Sequence, residues 1–178
     1  MGKPKVSVVM PVHDVHDTIN ETLESIESQT LSDFEVVLVD DHSTDGTRQI
    51  LDQWAMKDSR FRRVSSRERG LVPSLNQGLR VATAPLIARM DGDDIMLPRR
   101  LELQCNEFIR QPTVGVVSCG VESFGHEALG EGYQHYDSWL NGLTSHDDMW
   151  RARFIESPVA HPSTMVRADI FQTANGYR

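Results

Sequence analysis

Hydrophobic positions along this chain follow two rhythms that take turns. Runs dense in β-branched residues, from Lys5 to Val12, Phe34 to Asp40 and Leu86 to Asp91, have the length and composition of strands buried on both faces. Weaker runs at 61–65 and 114–119 predict two more strands. Between the runs, apolar residues recur at spacings of three and four. Ile19, Leu23 and Ile26 predict a helix over about 17–29, and Ile50, Leu51 and Trp54 predict another over about 45–57, with Asp45-Gly46-Thr47 as its cap and first turn. Two more helices are expected, from about 73 to 82 and from Pro98 to Arg110, the second with Pro at its start. Strand and helix alternating in this way mark βαβ units, so the fold class is α/β, with a Rossmann-like, mostly parallel central sheet flanked by helices.

The alternation weakens after about residue 120. The segment 123–147 is rich in Gly and His and is expected to be a long loop or short hairpin laid over the sheet. Beyond it, Met149–Ile155 is read as a helix, Ser163–Arg167 as a strand and Ala168–Ala174 as a short last helix. There is no internal repeat and no low-complexity tract.

Composition narrows the options. With 178 residues, 39% hydrophobic and 25% charged, the chain has the make-up of one globular domain. Its formal charge of -8 argues against a general nucleic-acid or anionic-membrane surface. All three Lys lie at or before Lys57, so any phosphate contact in the second half must come from Arg, His, backbone N–H or a metal. Cys105 and Cys119 are expected to be buried small apolar residues in a reducing compartment. No run of 18 apolar residues and no signal-like N-terminus occurs, which points to a cytoplasmic chain without a membrane segment, acting at the inner face of the membrane if a longer parent carries an anchor.

The candidate chemistry sits where strands end. Asp91-Gly92-Asp93-Asp94 puts three carboxylates into four residues after an apolar run, and such a cluster repels itself unless a cation or proton joins it. Hard oxygen donors without Cys or paired His favour Mg²⁺ or Mn²⁺, ions that keep open positions for phosphate. Asp40-Asp41-His42-Ser43 and Pro11-Val12-His13-Asp14 end two other strands, and in an open α/β sheet ligands gather at the carboxyl ends of strands. Neither G-x-G-x-x-G nor G-x-x-x-x-G-K-[ST] is present, so phosphate is expected to be held through a metal. Asp41, with Ser43 and Thr44, is equally well read as a turn-forming residue.

The ordered set Pro11-Val12, Asp40-Asp41-His42-Ser43-Thr44-Asp45-Gly46-Thr47, Gly70 to Gly78 with Asn76, Asp91-Gly92-Asp93-Asp94 with Leu97-Pro98, and His161-Pro162-Ser163 through Gly176-Tyr177 resembles the family 2 glycosyltransferases of the GT-A fold. The resemblance implies the GT-A nucleotide-diphospho-sugar transferase fold and transfer of a sugar, with inversion, from a nucleotide-diphosphate donor, a UDP-sugar by preference, to a glycan or lipid-linked acceptor. It implies that Pro11, Val12 and His13 line the base pocket, that Asp40 accepts from the base ring N–H, that Asn76 and Gly92 belong to the nucleotide site, that Asp91 touches the ribose and takes part in metal binding, and that Asp93 coordinates Mg²⁺ or Mn²⁺. His161 is expected to face the donor phosphate or the metal.

Two departures stand out. His13 replaces the family's usual Tyr, and Leu75 stands where an Arg is common, leaving Arg67 and Arg69 as diphosphate candidates. The domain is expected to divide into a nucleotide-binding part, 1–120, and the start of an acceptor-side part, 121–178. The family's catalytic base is expected past Arg178, with Asp147, Asp148 and Glu156 as the nearest substitutes. A non-catalytic nucleotide-sugar binding fragment is the alternative. A phosphoacceptor receiver domain, imitated by Val37-Leu-Val-Asp-Asp-His42, lacks its late-strand Lys, and a nucleotidyltransferase lacks its Gly-rich, Lys-bearing loop. His126, His135 and His146 are expected at the surface.

Overall fold

Six strands form one sheet in the order β3-β2-β1-β4-β6-β5, in a computed structural model that describes residues 3–125 and 129–178. The strands are β1 (Val6–Val12), β2 (Phe34–Asp40), β3 (Phe61–Ser65), β4 (Leu86–Arg89), β5 (Val116–Val117) and β6 (Met165–Arg167). β3, β2, β1 and β4 are parallel, and β6 runs antiparallel between β4 and β5. The expected mostly parallel α/β sheet is therefore present.

Alternation along the strands assigns the two faces. Val6, Val8, Met10 and Val12 point into the larger core, against Ile19, Leu23 and Ile26 of α1 (Ile19–Glu27), Leu51 and Trp54 of α2 (Thr47–Lys57), and Leu101 and Phe108 of α4 (Arg100–Arg110). Val9 and Ile87 point the other way, onto Leu75 of α3 (Leu71–Val81) with Tyr177 and Phe171 of α7 (Ala168–Ala174) at the rim. Gly78 lets α3 lie close to the sheet, since a Cβ there would come within 2.4 Å of Val9 Cγ1.

Register brings the site together. Val12 lies beside Asp40, and Val9 beside Arg89, so the strand ends fall level with one another. Gly92 sits against Val12, and an added Cβ would meet Val12 Cγ1 at 2.9 Å.

Several expectations need correction. The segment 123–147 is no hairpin: it carries α5 (Glu131–Asn141), whose sparse apolar positions bury only Leu140. Weak burial is why its periodicity is hard to see. α6 spans His146–Ala152, so the helix expected at 149–155 starts and stops earlier, nucleated by a capping box between Ser145 and Asp148. The last strand is shorter than expected because His161–Ser163 form a 3-10 turn. The helix expected from Pro98 starts at Arg100. Cys119 is exposed rather than buried, whereas Cys105 is partly covered and burial pushes its thiol up. His135 and His146 are exposed, and His126 lies outside the described residues.

Candidate active site

The end of β2 presents two carboxylates with different fates. Asp40 is fully buried: one oxygen accepts the Ser43 N–H at 2.9 Å, and the other receives Arg48 Nε at 2.8 Å. Burial works against its charge, yet the Ser43 and Arg48 contacts outweigh it and hold the carboxyl below its ordinary value. Asp40 thus closes its own turn, with both carboxylate oxygens accepting from groups of the chain itself. Asp41 is 9% exposed, and its Oδ2 accepts the Gly70 N–H at 2.9 Å. Its Oδ1 is buried and has no hydrogen-bond partner. A buried polar oxygen without a donor is costly and calls for a partner.

The end of β1 meets the same point. Pro11 and Val12 are buried in the strand, and the half-exposed His13 ring places Nδ1 2.7 Å from the Asp41 carbonyl oxygen. Because that oxygen only accepts, Nδ1 carries the hydrogen and the ring is fixed in plane beside Asp41. His42, next in the turn, has a left-handed φ of 57° and a buried Nε2 without a partner.

The acidic turn follows β4 and is braced from below. Thr18, just before α1, and Thr22 within it donate to the Gly92 carbonyl at 3.0 and 3.1 Å, so Gly92 anchors the turn through its backbone. Gln29 donates to the carbonyls of Met96 and Leu97 and accepts the Leu101 N–H. Asp93 is exposed, while Asp91 and Asp94 are partly covered. Burial raises the Asp94 carboxyl, and the charges of Asp91 and Asp93 raise it further. That excess negative charge, carried by hard oxygens, fits Mg²⁺ or Mn²⁺. Among the described residues no three Asp, Glu, His or Cys side chains already converge on one ion.

Two arginines under the turn escaped the sequence reading. Arg89 is 5% exposed and forms an ion pair with Asp91, while its Nε and Nη1 lack aligned hydrogen-bond partners. Arg100 is also buried, and it donates to the carbonyls of Arg89 and Thr164 at 3.0 and 3.3 Å. An arginine inside an otherwise apolar strand was the available signal for the first, because such a charge is seldom buried without a partner.

The remaining candidates lie on the α3 side. Asn76 exchanges both amide groups with Tyr177, donating to its carbonyl at 3.0 Å and accepting its N–H at 2.9 Å. It therefore ties Tyr177 to α3, using one of its two N–H donors and one lone pair of its carbonyl. The Tyr177 ring packs on Phe171 and lies 6.4 Å from the exposed His161, and burial raises its phenol. A cleft of about 220 Å³, lined by Cys119, Leu140, Met149 and Val159, reaches Ala160 just before His161. Arg67 and Arg69 are exposed after β3. Asp148 is held by the Ser145 cap, and Glu156 accepts the Ser157 N–H, so both have structural partners.

Comparison with known proteins identifies the family and the fold. The family model described as Glycosyl transferase family 2 matches residues 7–173. The glycosyltransferase EpsE of Bacillus subtilis is 34% identical over 98% of this chain and 60% of its own length. An uncharacterized glycosyltransferase of Haemophilus influenzae is 29% identical over 95% of the chain and 53% of its own length. The chain thus spans little more than half of these relatives. Among solved structures, the mannosyltransferase PcManGT from Pyrobaculum calidifontis, in complex with GDP-Man and Mn²⁺, superposes with a TM-score of 0.72 at 24% identity, covering 100% of this chain and 48% of that one. Staphylococcus aureus TarS 1-349 in complex with UDP-GlcNAc gives 0.68 at 23%, covering 96% and 47%. No helix among the described residues is long and apolar enough to cross a membrane. With its sheet order, its three strand-end clusters and a family match over nearly its whole length, the chain belongs to glycosyl transferase family 2 and carries the GT-A fold.

Proposed function

We propose that this chain is the donor-binding domain of a metal-dependent, inverting glycosyltransferase that takes its sugar from a UDP-sugar and passes it to a glycan or lipid-linked acceptor in the cytoplasm. The observation that carries this reading is the buried, unpartnered Asp41 Oδ1 at the carboxyl end of β2, level with the acidic turn. One free acceptor atom, its neighbouring oxygen already taken by the Gly70 N–H, suits the single ring N–H of uracil. Guanine presents a ring N–H and an exocyclic amine side by side and would need both oxygens. The base contact therefore moves from Asp40 to Asp41, while the His13 ring stacks on the base and Pro11 and Val12 form the floor.

Asp91, held by Arg89, faces the ribose, and Asp93 is the first ligand of the Mg²⁺ or Mn²⁺, with Asp91 beside it. The ion, when bound, supplies positive charge to the diphosphate as the bond from sugar to phosphate breaks. The acceptor hydroxyl attacks the anomeric carbon from the opposite side, its proton passes to a carboxylate base, and the bonding pair leaves with the diphosphate. His161, exposed and with its ring 6.4 Å from that of Tyr177, is the candidate for a contact to the departing phosphate. Asn76 serves by position, clamping Tyr177.

Calorimetric titration with UDP, GDP and TDP, with and without Mn²⁺, tests the reading on this chain and on Asp93→Ala. Metal-dependent binding of UDP in preference to GDP, abolished by the substitution, is expected. Tighter binding of GDP, or equal binding with and without Mn²⁺, would sink it.

A further inference from the structure

The acidic turn is not as negative as its sequence. Three carboxylates stand in it, but Arg89 is ion-paired to Asp91, and both Arg89 and Arg100 act on Asp94 from below. Three negative charges against two positive ones leave a single net charge to attract a divalent ion. Arg89 weighs most in this balance. It is 5% exposed, so water screens it poorly, and its one ion pair is with Asp91.

Resting on the donor-site reading above, we propose that Arg89 is the counter-ion that prevents the free acidic turn from capturing a divalent cation by itself, so that metal and nucleoside diphosphate enter as one unit. The diphosphate brings the negative charge and the oxygens that the turn lacks. Metal bound tightly in its absence would instead occupy the phosphate position with water. Arg89 is not a ligand in this account. It acts through Asp91, fixing that carboxylate toward the ribose while withholding it from an ion that arrives alone. Thermodynamic reciprocity then requires that Mn²⁺ tighten UDP by the same factor by which UDP tightens Mn²⁺.

The test follows free Mn²⁺ by its electron paramagnetic resonance signal while the chain is titrated with Mn²⁺ alone and then with Mn²⁺ at saturating UDP. In the wild type, UDP should tighten Mn²⁺ at least about tenfold. In Arg89→Gln, Mn²⁺ alone should bind at least about tenfold tighter than in the wild type, because one positive charge has left a poorly screened site. The coupling to UDP should shrink accordingly. Arg89→Lys, which keeps the charge, should behave as the wild type. A purely structural role for Arg89 would loosen metal binding, not tighten it. Unchanged Mn²⁺ affinity in Arg89→Gln, with UDP binding intact, overturns the proposal and leaves the donor site standing. Failure of UDP to bind either chain overturns the donor-site reading itself. Should Arg89→Gln not fold, the wild-type titrations decide, and equal Mn²⁺ affinity with and without UDP overturns the proposal.

Discussion

Replacing Asp41 by Asn separates the two carboxylates at the end of β2. In the free protein Asp41 Oδ1 has no partner, so the substitution removes no existing hydrogen bond there. The Asn carbonyl oxygen can still accept the Gly70 N–H that Oδ2 now receives at 2.9 Å. The amide NH₂ then occupies the place of the acceptor and meets the ring N–H donor to donor. A charge-assisted hydrogen bond is worth about 1.5–3 kcal/mol net, which corresponds to an expected loss in UDP affinity of about 10- to 150-fold. Thermal stability should move by less than about 0.5 kcal/mol, because a strained buried charge is exchanged for a neutral group of the same shape.

Asp40→Asn should behave in the opposite way. It breaks the pair with Arg48 and weakens the Ser43 turn, so it should cost stability more than affinity. The sign with pH follows from the lowered folded-state value of Asp40: its contribution is complete above the ordinary aspartate range near pH 4 and is lost as pH falls through the lower folded value. The stability gap between wild type and Asp40→Asn should therefore close on acidification below about pH 4. Calorimetry with UDP and Mn²⁺, paired with urea melts across pH, measures both. If Asp41→Asn binds UDP like the wild type while Asp40→Asn does not, the base contact belongs to Asp40 and the reasoning from the unpartnered oxygen fails.

Arg100→Met keeps the length of the side chain but strands the carbonyls of Arg89 and Thr164, and it should lower stability by about 2–4 kcal/mol in a urea melt. A loss under about 0.5 kcal/mol would show that these carbonyls find other donors. Asn76→Ala removes two hydrogen bonds to Tyr177, worth about 1–3 kcal/mol together, and should speed hydrogen exchange at the Tyr177 amide without changing the base preference. Undiminished protection at that amide would count against the clamp.

The long strands and the helices of the first 120 residues were legible because they bury apolar faces, and burial is what periodicity records, whereas β5, expected over 114–119, is only partly covered and shrinks to Val116–Val117. β1 and β2 are buried over nearly every residue, and α1 hides Ile19, Leu23 and Ile26 completely. α5 was misread for the converse reason. Its Tyr133 and Tyr136 are exposed, only Leu140 is buried, and Gly132 depresses helix propensity in its first turn, so the helix leaves almost no hydrophobic trace. Likewise the 3-10 turn at His161–Ser163 takes Ser163, where the strand was expected to begin, and β6 starts only at Met165.

The site was legible as a set of places but not as a set of roles. Spacing alone puts Asp40-Asp41 and Asp91 to Asp94 at strand ends, because the register of parallel strands follows from their lengths. Which of two adjacent aspartates faces a ligand depends on a strand's alternation carried one residue past its end, and on what else competes for each oxygen. Arg48 lies eight residues beyond Asp40 in sequence and is brought over it by the turn into α2. Gly70 reaches Asp41 from 29 residues away. Asn76 shows the same limit, since its amide meets Tyr177 across 101 residues. A polar residue's chemistry is set by the partners that folding supplies first, and a functional group is recognised by what those partners leave unsatisfied. By that criterion the proposed base contact is drawn to Asp41, whose Oδ1 has no partner, rather than to Asp40, whose oxygens already accept from Ser43 and Arg48, and the proposed counter-ion role falls to Arg89, buried beside Asp91.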